Sequence, residues 1–350
     1  TGRIMRKLIL LFLLLYSLAM PVSAMDLTAP EVPEAGLELM PKNTSSFLEG
    51  LTELLHNALG KLRPDLREAS RISASIISAG TVLSVLQSFS GSGKRAVAVA
   101  GVFIAATVLL TGTDSLIRLG FDTVRELSEY GKLLLPVMTA AMAAQGGAVT
   151  STALYTGTAL FDMILSTLIS RLLAPMVYIF LVLSISAAAI GEDLLKKLRD
   201  LIRQFVSWTL KTLLTVFTTY MSVTGVICGT TDAVALKATK MTISTVVPVV
   251  GGILSDASET VLVSAALVKN AAGLYGIFAF LAVFLSPFLT IGIHCLLMKI
   301  TAAICGLLGS PQLTELTGDF SSAMGLLLAM TGSVCLLQLV STICFLKGIR

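Results

Sequence analysis

The residues best placed for chemistry in this sequence are two carboxylates, Asp256 and Glu259, in a largely apolar part of the chain. Three residues that disfavour a regular helix, Pro248, Gly251 and Gly252, come shortly before them. Irregular backbone and carboxylates are tolerated at membrane depth only where protein or a water-filled cavity satisfies them. The segment is therefore predicted to line or gate a polar path. The alternative is a surface loop followed by an ordinary solvated helix.

An earlier part of the chain repeats these features in the same order. The matched landmarks are Asp114 with Asp232, Pro136 with Pro248, and Pro175 with Pro287. The order predicts a weak internal duplication, about residues 109–190 and 227–304, and chance similarity between apolar sequences is the alternative. Paired Gly/Pro-interrupted segments point to a central site in transporters. Pro136, Gly146 and Gly147 therefore join the candidate path-lining residues.

A second candidate site is a basic cluster on a predicted amphipathic helix at residues 191–205. One face of this helix is made of leucines with Ile202 and Phe205. The other face carries the basic residues Lys196, Lys197, Arg199 and Arg203. Positive charge favours the cytoplasmic side of a membrane. The cluster is predicted to lie on the cytoplasmic surface and to dock a partner there.

Several other kinds of site are not supported by the sequence. Five cysteines and two histidines show no metal-ligand or disulfide spacing. The turn GSGKR at 91–95 departs from a phosphate-binding loop, because Ser88 replaces the first glycine and Arg95 replaces the final Ser or Thr. We interpret it as a cytoplasmic turn. No catalytic constellation is recognisable, so we expect no enzymatic activity, no metal and no cofactor. No basic stripe with interleaved aromatics is present either, so nucleic acid is not an expected partner.

The elements that must position these residues are membrane helices. The chain is 55% hydrophobic and 13% charged, whereas about 25% of the residues of a soluble domain are charged. A membrane span needs about 20 apolar residues, and the sequence contains several such stretches. The predicted fold class is all-α: a polytopic helical membrane protein with about six or seven transmembrane segments, some of them Gly/Pro-interrupted or re-entrant. The lipid bilayer is its expected surroundings.

The chain divides into three predicted regions. Residues 1–24 hold an N-terminal remnant and a cleavable signal peptide, with Arg6 and Lys7 before an apolar core and a small-residue cleavage site at its end. Residues 25–71 form a short extracytoplasmic region, first flexible and then an amphipathic helix. Residues 72–350 form the polytopic membrane domain.

Within the membrane domain the predicted elements differ in kind. The polar, amphipathic stretch 114–130 is predicted to lie along the interface. Region 133–190 holds three tight crossings, or a re-entrant element with one or two spans. Residues 299–320 are predicted to be a loop with a short apolar piece, and Lys347 and Arg350 to place the C-terminal end in the cytoplasm. The predicted spans are 72–89, 96–113, 205–228, 274–298 and 321–346.

The stretch TVVPVVGGILSDASETVLVSA at 245–265 and its lead-in GTTDAVALKATK closely resemble the stage III sporulation protein AE family of endospore-forming Firmicutes. The resemblance extends over nearly the whole chain. It implies a role in a channel that stage III sporulation proteins AA to AH form with stage II sporulation protein Q of the forespore. It also implies a location in the mother-cell membrane around the forespore, and support of late forespore gene expression. The family supplies no catalytic residues.

Two other functions remain open from the residues. The chain could be a stand-alone secondary transporter of a small solute that uses the two interrupted segments. It could also be a scaffold whose spans position other channel subunits. Loss of solute flux on Asp256→Asn would favour the transporter, and tolerance of that change the scaffold.

Overall fold

The computed structural model describes residues 29–347, apart from 42–46, 91–92 and 247–250. Side chains are described for this part except at 225–266 and 268. The predicted signal peptide and Pro248 lie outside the described residues. Gly251, Gly252, Asp256 and Glu259 are described by their backbone alone.

The described chain is built from α-helices. They are α1 (Glu34–Leu37), α2 (Phe47–Gly60), α3 (Leu62–Phe89), α4 (Lys94–Ala144), α5 (Ala148–Leu168), α6 (Ala174–Ile190), α7 (Asp193–Val246), α8 (Gly251–Leu307) and α9 (Pro311–Lys347). A π-helical turn at Ile169–Leu173 joins α5 to α6. Five stretches among the described residues are long and apolar enough to cross a membrane: Leu62–Phe89, Lys94–Ala144, Ala148–Ile190, Lys269–Leu307 and Pro311–Lys347. The all-α, polytopic fold class is confirmed, with a count slightly below the predicted six or seven.

Helix α9 lies at the centre of the bundle. It packs against α4, α5, α6, α7 and α8. Residues along its whole length are buried, from Leu313 through Leu327 to Phe345. Most of its surface meets other helices, although Leu336 and Ile343 are 52% and 40% exposed.

The predicted interfacial helix at 114–130 is wrong, because this stretch belongs to helix α4. That stretch is the middle of one continuous helix of 51 residues. Its apolar residues Ile117, Val124 and Leu127 are at most 2% exposed. The predicted polar and apolar faces are correct, but the apolar face packs against other helices of the bundle instead of lying on lipid.

The predicted interruptions between 133 and 190 have different outcomes. Pro136 lies inside α4, and the chain turns only at 145–147. Pro175 stands in the first turn of α6, directly after the π-helical turn. Ala148–Ile190 nevertheless forms one long helical rod, and the π-helical turn lies where the ring and the missing N–H of Pro175 would disturb regular α-helical hydrogen bonding.

The predicted loop at 299–320 is wrong. Helix α8 continues to Leu307 and α9 begins at Pro311. Gly309 has a φ of 75°, which glycine adopts without strain, and this allows the tight connection between the two helices.

The N-terminal helices pack on α8. Phe47 of α2 stacks on Phe278 with ring centroids 5.6 Å apart, and Leu54 is 1% exposed. Glu38 pairs with Lys61, and this hydrogen bond and charge lower the pKa of Glu38. The predicted boundary at residue 71 falls inside α3.

The two ends of the bundle can be told apart by contacts. Near the 90–93 turn, the Ser84 hydroxyl donates to the carbonyl of Leu308, 2.8 Å away. Far from it, Leu346 lies against Gly273, which Met138 also contacts. Helix α9 therefore starts at the end with the 90–93 turn and finishes at the other end. If the bundle crosses one bilayer along α9, this turn and Lys347 lie on opposite sides, and only one of them can face the cytoplasm as predicted.

Candidate functional site

Pro136 and the turn at 145–147 surround a small cleft between α4 and α5. Gly146 has a φ of 90°, and the Gly147 amide donates to the carbonyl of Met142, 3.1 Å away. The cleft has a volume of about 290 Å³, and Pro136, Ser151 and Tyr155 are among its lining residues. One predicted path-lining residue therefore does border an open space beside the glycine turn.

Part of the second interrupted segment lies outside the described residues, and the rest is described by its backbone alone. Helix α7 is described as far as Val246 and α8 from Gly251, and the residues between them, Pro248 included, lie outside the described part of the chain. Asp256 and Glu259 lie in the first part of α8 by their backbone. Their role stays a prediction.

A buried carboxylate on α5, Asp162, forms the centre of a polar cluster that the sequence interpretation treated only as an interruption. Asp162 is 3% exposed. Its Oδ1 accepts hydrogen bonds from the Ser128 hydroxyl of α4, 2.9 Å away, and from the Gln338 amide of α9, 2.8 Å away. Two hydrogen-bond donors from different helices therefore meet one carboxylate oxygen. The cluster ties three helices together.

A glycine belongs to this cluster, and a pair of hydroxyls joins the same two helices, α5 and α9, nearby. A Cβ at Gly131 would lie 2.4 Å from Gln338 Nε2, so only glycine leaves room for the amide there. Further along α5, the hydroxyls of Thr158 and Ser341 are 2.6 Å apart. We name Asp162, Ser128, Gln338 and Gly131 the Asp162 cluster.

The basic cluster is divided by the fold. Arg199 Nη1 lies 2.9 Å from Glu315 Oε1 and 2.6 Å from Asp319 Oδ2, both on α9. Lys196 Nζ lies 3.1 Å from Glu315 Oε2. These two cations join α7 to α9 within the chain. Lys197 and Arg203 are exposed and are the members left for a partner.

The polar contacts of Asp162 and Arg199 join helices to one another. Among the residues that the structure describes, no group of three His, Cys, Asp or Glu side chains could hold a metal ion. His294 is buried, with Nδ1 2.9 Å from the Thr290 carbonyl of its own helix. Asp162 could have been flagged from sequence as the lone carboxylate in an uncharged stretch. Its partners could not, because Gln338 lies 176 residues away.

Comparisons with known proteins agree on one family. The model of the family described as stage III sporulation protein AE matches residues 42–347. The stage III sporulation protein AE of Bacillus subtilis (strain 168) is 28% identical over 231 residues, which cover 65% of this chain and 58% of that protein. The chain thus spans a little more than half the length of this relative. No solved structure matches the chain.

These matches confirm the resemblance that the segment at 245–265 indicated. The helices described above make the chain a membrane protein. Because the family model covers well over half of its length, the chain belongs to the stage III sporulation protein AE family.

Proposed function

We propose that this protein is a polytopic inner-membrane subunit of a channel between mother cell and forespore, needed for late forespore gene expression. It would lie in the mother-cell membrane around the forespore and assemble with stage III sporulation proteins AA to AH and with stage II sporulation protein Q. The observation that carries the proposal is the family match over residues 42–347. The apolar helices support the membrane part of it.

The proposed role of this subunit is to provide or gate a polar path, without chemistry of its own. The cleft beside Pro136 supports a local opening between α4 and α5. The segment from Pro248 to Glu259 would form the second wall or gate. Lys197 and Arg203, which are exposed on α7, would contact a cytoplasmic partner.

The test is a deletion of the gene in the bacterium that encodes this chain, followed by induction of sporulation. We expect engulfment to finish, a late forespore-specific reporter to stay off, and the wild-type gene to restore it. Complementation with the double variant Asp256→Asn, Glu259→Gln is expected to fail although the protein reaches the membrane. The exposed Lys211→Gln on α7 is the matched control and should restore the reporter.

Normal spores with full reporter activity in the deletion strain would overturn the proposal. Full rescue by the double variant would remove the path-lining role and leave the scaffold function. Solute flux in vesicles that contain this chain alone would favour the stand-alone transporter.

A further inference from the structure

Three neighbouring helical segments lack charge over the same length. Charged residues bound each of them at both ends: Arg71 and Lys94 around α3, Arg95 and Asp114 on α4, Arg171 and Glu192 around α6. Each uncharged segment has about 20 residues, which at 1.5 Å per residue is about 30 Å. This is the thickness of the hydrocarbon core of a bilayer.

Contacts place the three segments at the same height in the bundle. A Cβ at Gly112 would lie 2.7 Å from Ile72 Cδ1, so the upper ends of the α3 and α4 segments are adjacent. The Tyr178 hydroxyl lies 3.3 Å from Asp114 Oδ1. At the lower end, the guanidinium of Arg95 lies 3.5 Å from the carbonyl of Ile190. The charges therefore lie at two common levels.

On α3, α4 and α6, the surface between these two levels suits hydrocarbon. Large apolar side chains point outward there, including Ile104 at 60% and Val182 at 62% exposure. The hydroxyls on the same surface bond to their own helices, as Thr107 does to the carbonyl of Phe103 at 2.9 Å, so they need no water. An open groove of about 440 Å³ runs between α3 and α4, with almost only apolar lining. An acyl chain fits such a groove.

The outward charged face of α4 above the upper level suits water. Helix α4 continues beyond Asp114, and Arg118, Asp122, Arg125 and Glu129 have side chains that are 59–74% exposed. Charged side chains on an outward face cannot border lipid without a large cost. With 51 residues, α4 is about 75 Å long, far more than one bilayer requires.

We propose that the band of α3, α4 and α6 between these charged levels is the surface that binds the hydrocarbon of the bilayer. The upper boundary of the hydrocarbon then lies at Arg71, Asp114 and Arg171. Helix α4 leaves the membrane at Asp114, upright, and carries its charged stripe into water on the side where α2 lies. This proposal does not depend on the sporulation role, because it rests only on the charges, contacts and exposed side chains of this chain.

The test is cysteine labelling with a membrane-impermeant maleimide on the full chain in vesicles of both orientations. Single substitutions are made at exposed sites: Ile104→Cys and Val182→Cys in the band, Asp122→Cys and Glu129→Cys above it, His56→Cys on α2 and Lys94→Cys below. The unsubstituted chain gives the background from its native cysteines. Labelling of the two band variants is expected to stay at background until detergent is added.

Sidedness gives the second readout. The Asp122→Cys, Glu129→Cys and His56→Cys variants are expected to be labelled from one face, and the Lys94→Cys variant from the opposite face. The proposal is overturned if Asp122→Cys is protected like Ile104→Cys, or if Ile104→Cys is labelled as fast as Asp122→Cys in intact vesicles. Labelling of Asp122→Cys and Lys94→Cys from the same face would also overturn it.

Discussion

At the residue scale, the Asp162 cluster shows how a polar group is kept inside an apolar bundle. Burying a carboxylate without partners is costly, and here a hydroxyl and an amide from two other helices satisfy one of its oxygens. The amide can reach it only because position 131 has no side chain. The hydrogen bond from Gln338 to Asp162 therefore depends on the absence of a side chain at position 131.

Substitution of this glycine is expected to disrupt the cluster. In Gly131→Ala the new methyl group would lie 2.4 Å from Gln338 Nε2, so Gln338 must move and Asp162 loses a donor. We expect a loss of about 1–3 kcal/mol in the free energy of unfolding, measured by thermal unfolding in detergent.

Gly120→Ala on the same helix is the matched control. A Cβ there would make ordinary contacts at 3.7 Å with Ile291 and Leu327, and alanine favours a helix by about 0.5–1 kcal/mol over glycine. Its stability should be unchanged or slightly raised. Equal losses in both variants would mean that α4 tolerates no added methyl group, and that the Asp162 cluster has no special weight.

Sequence alone could identify the carboxylate but not its partners. A lone Asp in a long uncharged stretch is a recognisable signal. Ser128 and Gln338 are ordinary residues on other helices, and nothing in their local sequence indicates that they face Asp162. The pairing is decided by which helices become neighbours, and this information is not contained in helical periodicity.

At the element scale, helix α7 shows why an amphipathic pattern does not determine which face is exposed. The pattern at 191–205 correctly predicts a helix with opposite basic and apolar faces. In the bundle Arg199 turns inward to Glu315 and Asp319, while Leu194 and Leu201 are 72% and 60% exposed. Where lipid is the solvent, leucines can face outward and charges can pair inside.

The pairing of Arg199 is expected to hold α7 against α9. Arg199→Gln removes the cation from two acidic residues that are mostly buried. Breaking a buried ion pair on one side costs about 3–5 kcal/mol, because the remaining charges lose their compensation. We expect a clear drop of the unfolding temperature in detergent, together with loss of a disulfide between cysteines engineered across α7 and α9.

Arg203→Gln provides the control, since Arg203 is on the same helix and exposed. It should leave the unfolding temperature nearly unchanged, because exposed charges contribute little. If both substitutions lowered it equally, the effect would come from net charge and not from the contacts with Glu315 and Asp319.

The stretch 114–130 shows that an amphipathic pattern does not determine what its apolar face contacts. Its two faces were predicted correctly, and its environment was not. A helix with this pattern can lie on a membrane surface or stand upright beside other helices, since each arrangement covers one apolar face. Only the partners decide, and α4 finds them in α8 and α9.

At the scale of the whole molecule, the helices are longer than a single bilayer requires. α4 and the rod Ala148–Ile190 have 51 and 43 residues, whereas about 20 suffice for a crossing. If these helices stand upright in the membrane, as proposed above for α4, the bundle extends beyond the hydrocarbon. Sequence windows of membrane-span length cannot detect this, because they divide a long helix at its polar residues.

The direction of α9 leads to a prediction about sidedness. The helix begins beside Gly80 and the Leu308 region, close to the 90–93 turn, and ends where Leu346 meets Gly273. A single helix that passes once through the bundle places its two ends on opposite sides of the membrane. Positive charge near the 90–93 turn favours the cytoplasm for that end, so the segment after Lys347 is expected on the other side.

Reporter fusions test this sidedness. Alkaline phosphatase fused after Arg350 should be active and green fluorescent protein at the same position dark, whereas both should report the cytoplasm when inserted at the 90–93 turn. A bright fluorescent fusion after Arg350, with the 90–93 insertion also cytoplasmic, would mean that α9 does not cross the bilayer alone and that the bundle enters the membrane in another orientation.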